Sequence, residues 1–482
     1  MNISGVSIHF VLAVSVLVLS ACTVGPDYVR PTPVATMPPA YKELDGWKVA
    51  QPGDGAAPEE WWKSYQDTGL NSLAGQVAIS NLTVAAAEAQ FRQARALVLE
   101  AKAGYYPTVS LGASASRSQR SGNLGTGTGN GTTTSDFLLP LDATWELDLW
   151  GKISRSIEAS QAGVQAGAAD LAAVTLSIQA ELVTDYFLVR TLDAQKQLLD
   201  ATTAVYRKAL DLTNNRYAAG VAAKSDVLLA ETQFKSTQAQ AIDLGVQRAQ
   251  LEHAIALLIG KPAADFSLPT IPLSLAAVPP PVPVGVPSEL LERRPDIAGA
   301  ERRAAAANAQ IGVTEAAWYP TVKLSAAGGF ESSSFSKWLS WPSRLWAVGP
   351  AVSETVFDGG LRRAQNEQVR AAYDGTVAAY RQTVLTGFKE VEDNLAALRI
   401  LEEEARVQDE AVKAAEQSVT IVRNQYRAGT ASYLSVIVIQ AAELANERTA
   451  IDILGRRMAA SVLLVKALGG GWVAKEPVPS PL

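Results

Sequence analysis

Few side chains in this 482-residue chain can do covalent or metal chemistry: it holds one cysteine and two histidines. Cys22 closes the tetrad "LSAC" at the end of a 12-residue apolar run, residues 10–21. A run that short cannot cross a hydrocarbon layer of ~30 Å as a helix, but it suits the apolar part of a secretory signal. Small residues ahead of a cysteine form the pattern at which bacteria acylate the thiol and make the cysteine the new N-terminus. The chemistry expected of Cys22 is therefore lipid attachment, a diacylglyceryl thioether plus an N-acyl chain. Each buried CH₂ then adds ~0.8 kcal/mol of membrane affinity. The alternative is a simple signal peptide with an incidental cysteine; "MNISGVSIHF" lacks the basic residues usual at a signal start.

With residues 1–21 removed, the body keeps His253 and no second thiol. His253, in "LEHAIALL", fits the flank of a helix. Cysteine nucleophiles, thiolate zinc sites and disulfides have nothing to work with, so no catalytic residue and no metal site is expected. Only Met37 and Met458 would remain as thioethers, too few for soft-metal handling. A net charge of −6 argues against nucleic acid as a partner. The chain carries no nucleotide motif and no ion-coupling site, so it is expected to act without catalysis. Three carboxylates stand out instead: Asp142 and Glu146 in "DFLLPLDATWELD", and Glu354 in "LWAVGPAVSETV". The acidic run "LEEEARVQDE" (401–410) fits a solvated helix face.

Proline placement shows which elements must position these groups. None of the 24 prolines falls between Leu141 and Lys261 or between Ala351 and Glu476. Interior proline costs a helix ~3 kcal/mol, so both tracts invite long helices. In the first, Leu171, Val174, Ile178, Leu182, Tyr186, Val189 and Leu192 recur at steps of three and four. A helix over Gly151–Thr213 would reach roughly 95 Å, and one over Leu361–Arg427 about 100 Å. Each tract is punctuated alike, by "NNRYAAGVAAKSDVLLA" (214–230) and "RNQYRAGTASYLSVIVI" (423–439). A glycine there supplies the positive φ of a tight turn between helices, so each rod should fold back as a hairpin near Gly220 or Gly429. Seven prolines in 26–58 and nine in 262–295 mark extended, irregular segments.

Between the rods the period changes to two. "AGYYPTVSL" (103–111) and "AAWYPTVKL" (316–324) match at six of nine positions, and an alternating segment follows each. Strands are expected over about 105–117, 136–148, 318–331 and 345–357, the last alternating poorly. In the second, Phe137, Leu139, Leu141, Ala143, Trp145 and Leu147 share one face; Asp142, Thr144, Glu146 and Asp148 share the other. Segments of 10–13 residues with that pattern suit transmembrane β-strands around a wet lumen, though a soluble sandwich strand looks the same. Four strands cannot close a barrel, and an open sheet in lipid leaves edge groups unsatisfied, so the chain should oligomerise.

Helix, strand pair, rod and tip, all written twice, resemble the TolC-like outer membrane efflux channels, closest to their lipoprotein branch that serves proton-driven RND pumps. "ACTVGPDYVRP" (21–31), "EEWWKSYQDTGLNSL" (59–73) and "PSELLERRPDIAGAERRAAAANAQIGVTEAAWYPTVKLSAAGGF" (287–330) carry the resemblance, which spans nearly the whole chain. It implies a mainly α fold with a membrane β-barrel: a homotrimer with a 12-stranded barrel in the outer membrane and a periplasmic α-helical tunnel. The implied division is signal 1–21, N-terminal wrap 22–68, first repeat 69–261, proline-rich equatorial linker 262–293, second repeat 294–470 and tail 471–482. The tips would meet a periplasmic adaptor protein linked to an inner-membrane RND-type pump. The tip motif maps onto Arg216, Tyr217 and Gly220, then onto Tyr426 and Gly429, with Gln425 in place of the arginine. Where the family often narrows with aspartates, this chain has Ser435 and Val438, leaving Tyr433, Ser435 and Val438 as the candidate periplasmic gate. Asp142, Glu146 and Glu354 would line the barrel lumen and favour cations.

The function expected is a passive conduit in a tripartite pump, exporting drugs or other small solutes. The alternatives are a lipid-anchored coiled-coil scaffold or adaptor without a channel, or a channel for another secretion system.

Overall fold

The computed structural model describes residues 23–33, 38–43, 60–119, 121, 133–282 and 287–472. The expectations for Cys22, the signal segment and residues 473–482 lie outside them. After a short turn at Trp61–Tyr65 come α1 (Thr68–Ser80), α2 (Leu82–Ala103), β1 (Thr108–Leu111), β2 (Ser114–Gln119) and β3 (Thr133–Glu146). Next follow α3 (Lys152–Ala218) and α4 (Lys224–Leu258). Beyond the proline-rich stretch, one helical turn at Leu290–Arg293 leads into α5 (Pro295–Ala316), β4 (Thr321–Ser332) and β5 (Arg344–Ser353). The described chain ends with α6 (Leu361–Arg427) and α7 (Tyr433–Ala467).

The duplication is close to exact in length. Both α3 and α6 run for 67 residues, and both α4 and α7 for 35. At 1.5 Å per residue the long pair spans about 100 Å each. Prolines 107 and 320 fall between a helix end and a strand start, where a missing N–H and a fixed φ stop the α-helical ladder.

The sheet is antiparallel throughout, ordered β1/β2–β3–β4–β5. β1 and β2 are one strand in register against β3: Leu111 faces Leu141 and Ser114 faces Leu138. The break falls opposite Pro140, whose carbonyl accepts from the Gly112 amide at 3.0 Å but which has no N–H to return the bond. The four strands inferred from sequence are therefore present, one of them interrupted. Across Pro140 on the other side, a Cβ on Gly329 would sit 2.1 Å from the Leu139 carbonyl oxygen, so that position admits only glycine.

The helices and strands sort into two units that do not coincide with the two repeats. One takes residues up to 31, 91–167 and 300–380, and so holds the strands of both repeats. The other takes 32–90, 168–299 and 381 onward. In the second unit, Trp61, Trp62, Leu70 and Val77 pack with Leu182, Tyr186 and Phe187 of α3, Ile255 of α4 and Ile259 just past its end, and Met458 and Val462 of α7. A stretch of α3 is long and apolar enough to cross a membrane on length and composition alone. In the structure its Leu171, Val174 and Ile178 pack against this core, which accounts for the apolar run.

A buried polar knot ties the proline-rich linker to the same unit. Asp193, with a fully buried side chain, accepts from Arg248 Nε at 2.7 Å and from the Ile271 amide at 3.0 Å, and pairs with Arg190 at 3.5 Å. Arg190 donates to the Pro269 carbonyl at 2.6 Å and to the Tyr186 hydroxyl at 3.1 Å. That hydroxyl donates to Asp67, which also accepts from the Leu70 amide and so caps α1.

Candidate functional site: a two-faced sheet and two helical tips

Register assigns every strand residue to one of two faces. One face carries Val109 and Leu111; Phe137, Leu139, Leu141, Ala143 and Trp145; Val322, Leu324, Ala326 and Phe330; and Trp346, Val348, Pro350 and Val352. Apart from Arg117, Gln119, Thr133, Ser135, Ser332 and Arg344 at the end away from the helices, it is apolar across all four strands, and many of its members are exposed, Leu111 by 71%, Trp346 by 77% and Val348 by 73%. An exposed apolar band that runs across every strand and gives way to polar residues at one end fits hydrocarbon, not water. The opposite face carries Ser110, Ser114 and Ser116, Asp142, Thr144 and Glu146, Lys323 and Ser325, and then Ala347, Gly349, Ala351 and Ser353. The weak alternation of the last strand has its cause here. Beyond Leu345, its inner face is built from small residues, with Ser353 its one polar member.

The three carboxylates expected to line a lumen have different surroundings. Asp142 stands on the polar face between Ser110 and Ala327. Glu146 is paired with Lys152 at 3.0 Å and Lys323 at 3.8 Å. Glu354 lies just past the end of β5 and meets Arg362 at 3.4 Å. Asp148, expected on the polar strand face, has left the sheet. Its carboxylate accepts from the Ile153 and Ser154 amides at 2.8 Å each and caps α3. Asp358 does the same for α6 through Gly360 and Arg362. Sequence reading missed both caps, although an aspartate just before a glycine and a long helix was the available signal.

Aromatic rings gather at these strand–helix junctions. Trp150 stacks on Tyr319 with centroids 4.8 Å apart and donates to the Pro320 carbonyl at 2.8 Å. Trp145 donates to the Tyr105 carbonyl at 3.0 Å, and the Arg362 guanidinium lies over Trp318. The chain just after Cys22 is fixed at the same place. Val24 donates to the Trp150 carbonyl, and a Cβ on Gly25 would fall 2.4 Å from Gly312 Cα, so the strap crosses α5 glycine on glycine. Arg155 holds Asp27 at 2.8 Å, and Tyr28 donates to Glu301.

The tips are two copies of one turn. Gly220 has φ +74° and Gly429 φ +79°. In the first, the Gly220 amide donates to the Tyr217 carbonyl and Val221 to Arg216; in the second, Gly429 donates to Tyr426 and Thr430 to Gln425. That is the paired bonding of a Schellman end, which needs a left-handed residue at the glycine position. Arg216 reaches across to the other tip, its guanidinium 4.8 Å from the centre of the Tyr426 ring. Tyr426 also packs on Tyr433, centroids 5.4 Å apart.

The candidate gate residues divide. Tyr433 is buried with Val422, Val436 and Ala230 in the hairpins' own core, so its side chain is not presented outward as expected of a gate. Ser435 donates its amide to the Ser432 hydroxyl in the N-terminal cap of α7. Val438 is 57% exposed and Leu434 54%, so the outward apolar surface after this tip comes from these two.

A two-faced membrane sheet continuous with duplicated 67-residue helices defines the protomer of an outer-membrane channel. The chain belongs to the outer membrane efflux protein family, whose model matches residues 73–261 and 286–470. The solvent efflux pump outer membrane protein SrpC of Pseudomonas putida is 30% identical over 464 residues, 96% of this chain and 98% of that one. Outer membrane protein OprJ of Pseudomonas aeruginosa is 30% identical over 461 residues, covering 95% and 94%. The solved structure of the outer-membrane channel OprN matches with a TM-score of 0.86 at 31% identity, over 94% of this chain and 100% of that one. The protein is thus the outer membrane channel component of a tripartite efflux pump, and the scaffold alternative is set aside.

Proposed function

We propose that three copies close one barrel and that the assembly is a passive conduit for small organic solutes. It would be tethered by acyl chains on Cys22 and joined through its tips to a periplasmic adaptor and an inner-membrane RND-type pump. The observation that supports closure is the sheet itself. Its β1/β2 and β5 edges have no partner strand among the described residues, while its outer face is apolar. Unpaired edges in hydrocarbon cost several kcal/mol per group, and identical neighbours remove them. Organic cargo rests on the character of relatives such as SrpC, a solvent efflux protein by name. Arg216, Tyr217, Gly220, Tyr426 and Gly429 form the adaptor-facing surface in this reading. The lipid reading draws support from the strap that holds Thr23 against Gly151 at the aromatic junction, where an acyl chain on the preceding residue would reach the membrane edge.

The chain's own residues move no proton and hold no nucleotide in this scheme; the energy comes from the pump. Of the three lumen carboxylates, Asp142 has no cation partner among the described residues, so it would set cation preference. Purified protein in planar bilayers should conduct, with a reversal potential favouring cations that Asp142→Asn shifts toward neutrality. Absence of conductance under every opening condition would overturn the conduit. Cys22→Ser should abolish incorporation of radiolabelled palmitate while the chain itself stays detectable by immunoblot, and an unaltered label would refute the anchor.

A further inference from the structure

The end of the sheet away from the helices sorts its charges by face. By register Arg117 of β2 and Arg344 of β5 fall on the apolar face, opposite Ser135 and Phe330. Asp136 and Glu331 fall on the polar face at the same end. Cations therefore point to the lipid side and carboxylates to the lumen. A guanidinium on the lipid side of a barrel is destabilising unless it sits at the interface with an anion or water to meet it. Neither arginine has an ion-pair partner among the described residues.

The β4–β5 loop builds a setting around one of them. Ser340 and Ser343 both donate to the Lys337 carbonyl, at 2.6 and 2.7 Å, which brings Lys337 back beside the strand that starts at Arg344. The Arg344 guanidinium lies 3.9 Å from the centre of the Trp341 ring. Phe335, Trp338 and Phe137 form a three-ring cluster with centroids 5.6–6.0 Å apart. Trp341 is 71% exposed and Phe335 72%. A ring beneath a guanidinium fixes its plane and leaves the N–H edge free for a bidentate anion, and phosphate fits that fork. Exposed indole rings settle at headgroup depth.

We propose that Lys337 and Arg344, framed by Trp338, Trp341 and Trp346, bind the phosphate of a phosphorylated glycolipid headgroup in the outer leaflet. The site rests on the outer-membrane location of the chain and not on what the channel carries, so export and lipid binding can fail separately.

The test uses full-length protein in non-ionic detergent, with native mass spectrometry after addition of diphosphoryl lipid A. Each cation removed should lower retention about fivefold, the weight of one basic residue near an anionic surface. Lys337→Gln/Arg344→Gln should then lose most bound lipid while size-exclusion chromatography shows the parent assembly. If that double variant fails to assemble, the single variants decide: Arg344→Lys should retain more lipid A than Arg344→Gln. Lipid A stripped of phosphate should bind weakly to the parent protein. Unchanged retention in the variants, or equal retention of the dephosphorylated lipid, would overturn the proposal. So would inorganic phosphate alone competing as well as the lipid.

Discussion

Replacing Gly220 and Gly429 by alanine should cost each tip about 1–2 kcal/mol, the penalty of holding an L-residue in the left-handed region. The structure isolates that term. Both glycines have φ between +74° and +79°, and a Cβ at either meets nothing within 4 Å. No clash adds to the backbone strain and no new contact offsets it. A loss of that size multiplies opening of the turn by about 5–30. The amides to watch are Val221 and Thr430, which close the two turns onto Arg216 and Gln425 at 2.8 and 2.9 Å. Hydrogen exchange on the purified double variant Gly220→Ala/Gly429→Ala should show both amides accelerated, with the body of α3 and α6 unchanged.

The same substitutions in cells relying on this channel should lower resistance to the pump's substrates, because a frayed turn no longer presents Tyr217 and Tyr426 in fixed geometry. Asparagine tolerates the left-handed region, so Gly220→Asn/Gly429→Asn should recover most of both readouts. If asparagine is as damaging to export as alanine while exchange is normal, the tip requires a bare surface rather than a dihedral angle. If the alanine variant exchanges like the parent, the strain argument is wrong.

Asp193→Asn should destabilise the linker knot by about 3–5 kcal/mol, since it leaves the buried Arg190 without its carboxylate partner, whereas the half-buried Arg248 keeps Glu252. Limited proteolysis should then cut within 266–274 far faster than in the parent protein, and equal resistance would show that packing alone holds the linker. Glu443 and Glu447 on α7 have carboxyls pushed above the usual range, by burial first. The Glu416 charge adds for both, Glu443 adds for Glu447, and Arg423 opposes the shift at Glu443. A raised carboxyl binds more protons folded than unfolded, so its cost is fully present at neutral pH and disappears as pH falls toward the ordinary carboxylate range. Glu447→Gln should therefore raise the melting temperature at pH 7, with the difference from the parent shrinking on acidification; a lowered melting temperature at pH 7 would refute the sign.

What the sequence made legible was what depends on neighbours along the chain. Two proline-free tracts gave the rods, the second over Leu361–Arg427 as observed, and a tyrosine three residues before a glycine gave each tip. What it concealed depends on pairing across the chain. Asp148 keeps period two with Glu146 and so passes for a strand residue; only the arrival of the Ile153 and Ser154 amides makes it a helix cap. Tyr433 sits where an outward residue is expected, but Tyr426 and Val422 of the neighbouring helix fold over it. The lumen charge shows the same division most sharply. Asp142, Glu146 and Glu354 are equivalent as sequence, yet the β3–β4 register sets Lys323 opposite Glu146, and the start of α3 adds Lys152. At that level each protomer presents one carboxylate against two ammonium groups, so the helix-side mouth is locally cationic and Asp142 stands beyond it. Register, and not a count of acidic residues, therefore decides the balance: Asp142 pulls toward cations and the Lys323–Glu146–Lys152 level pushes against them. Lys323→Gln should strengthen the preference for the same reason that Asp142→Asn weakens it.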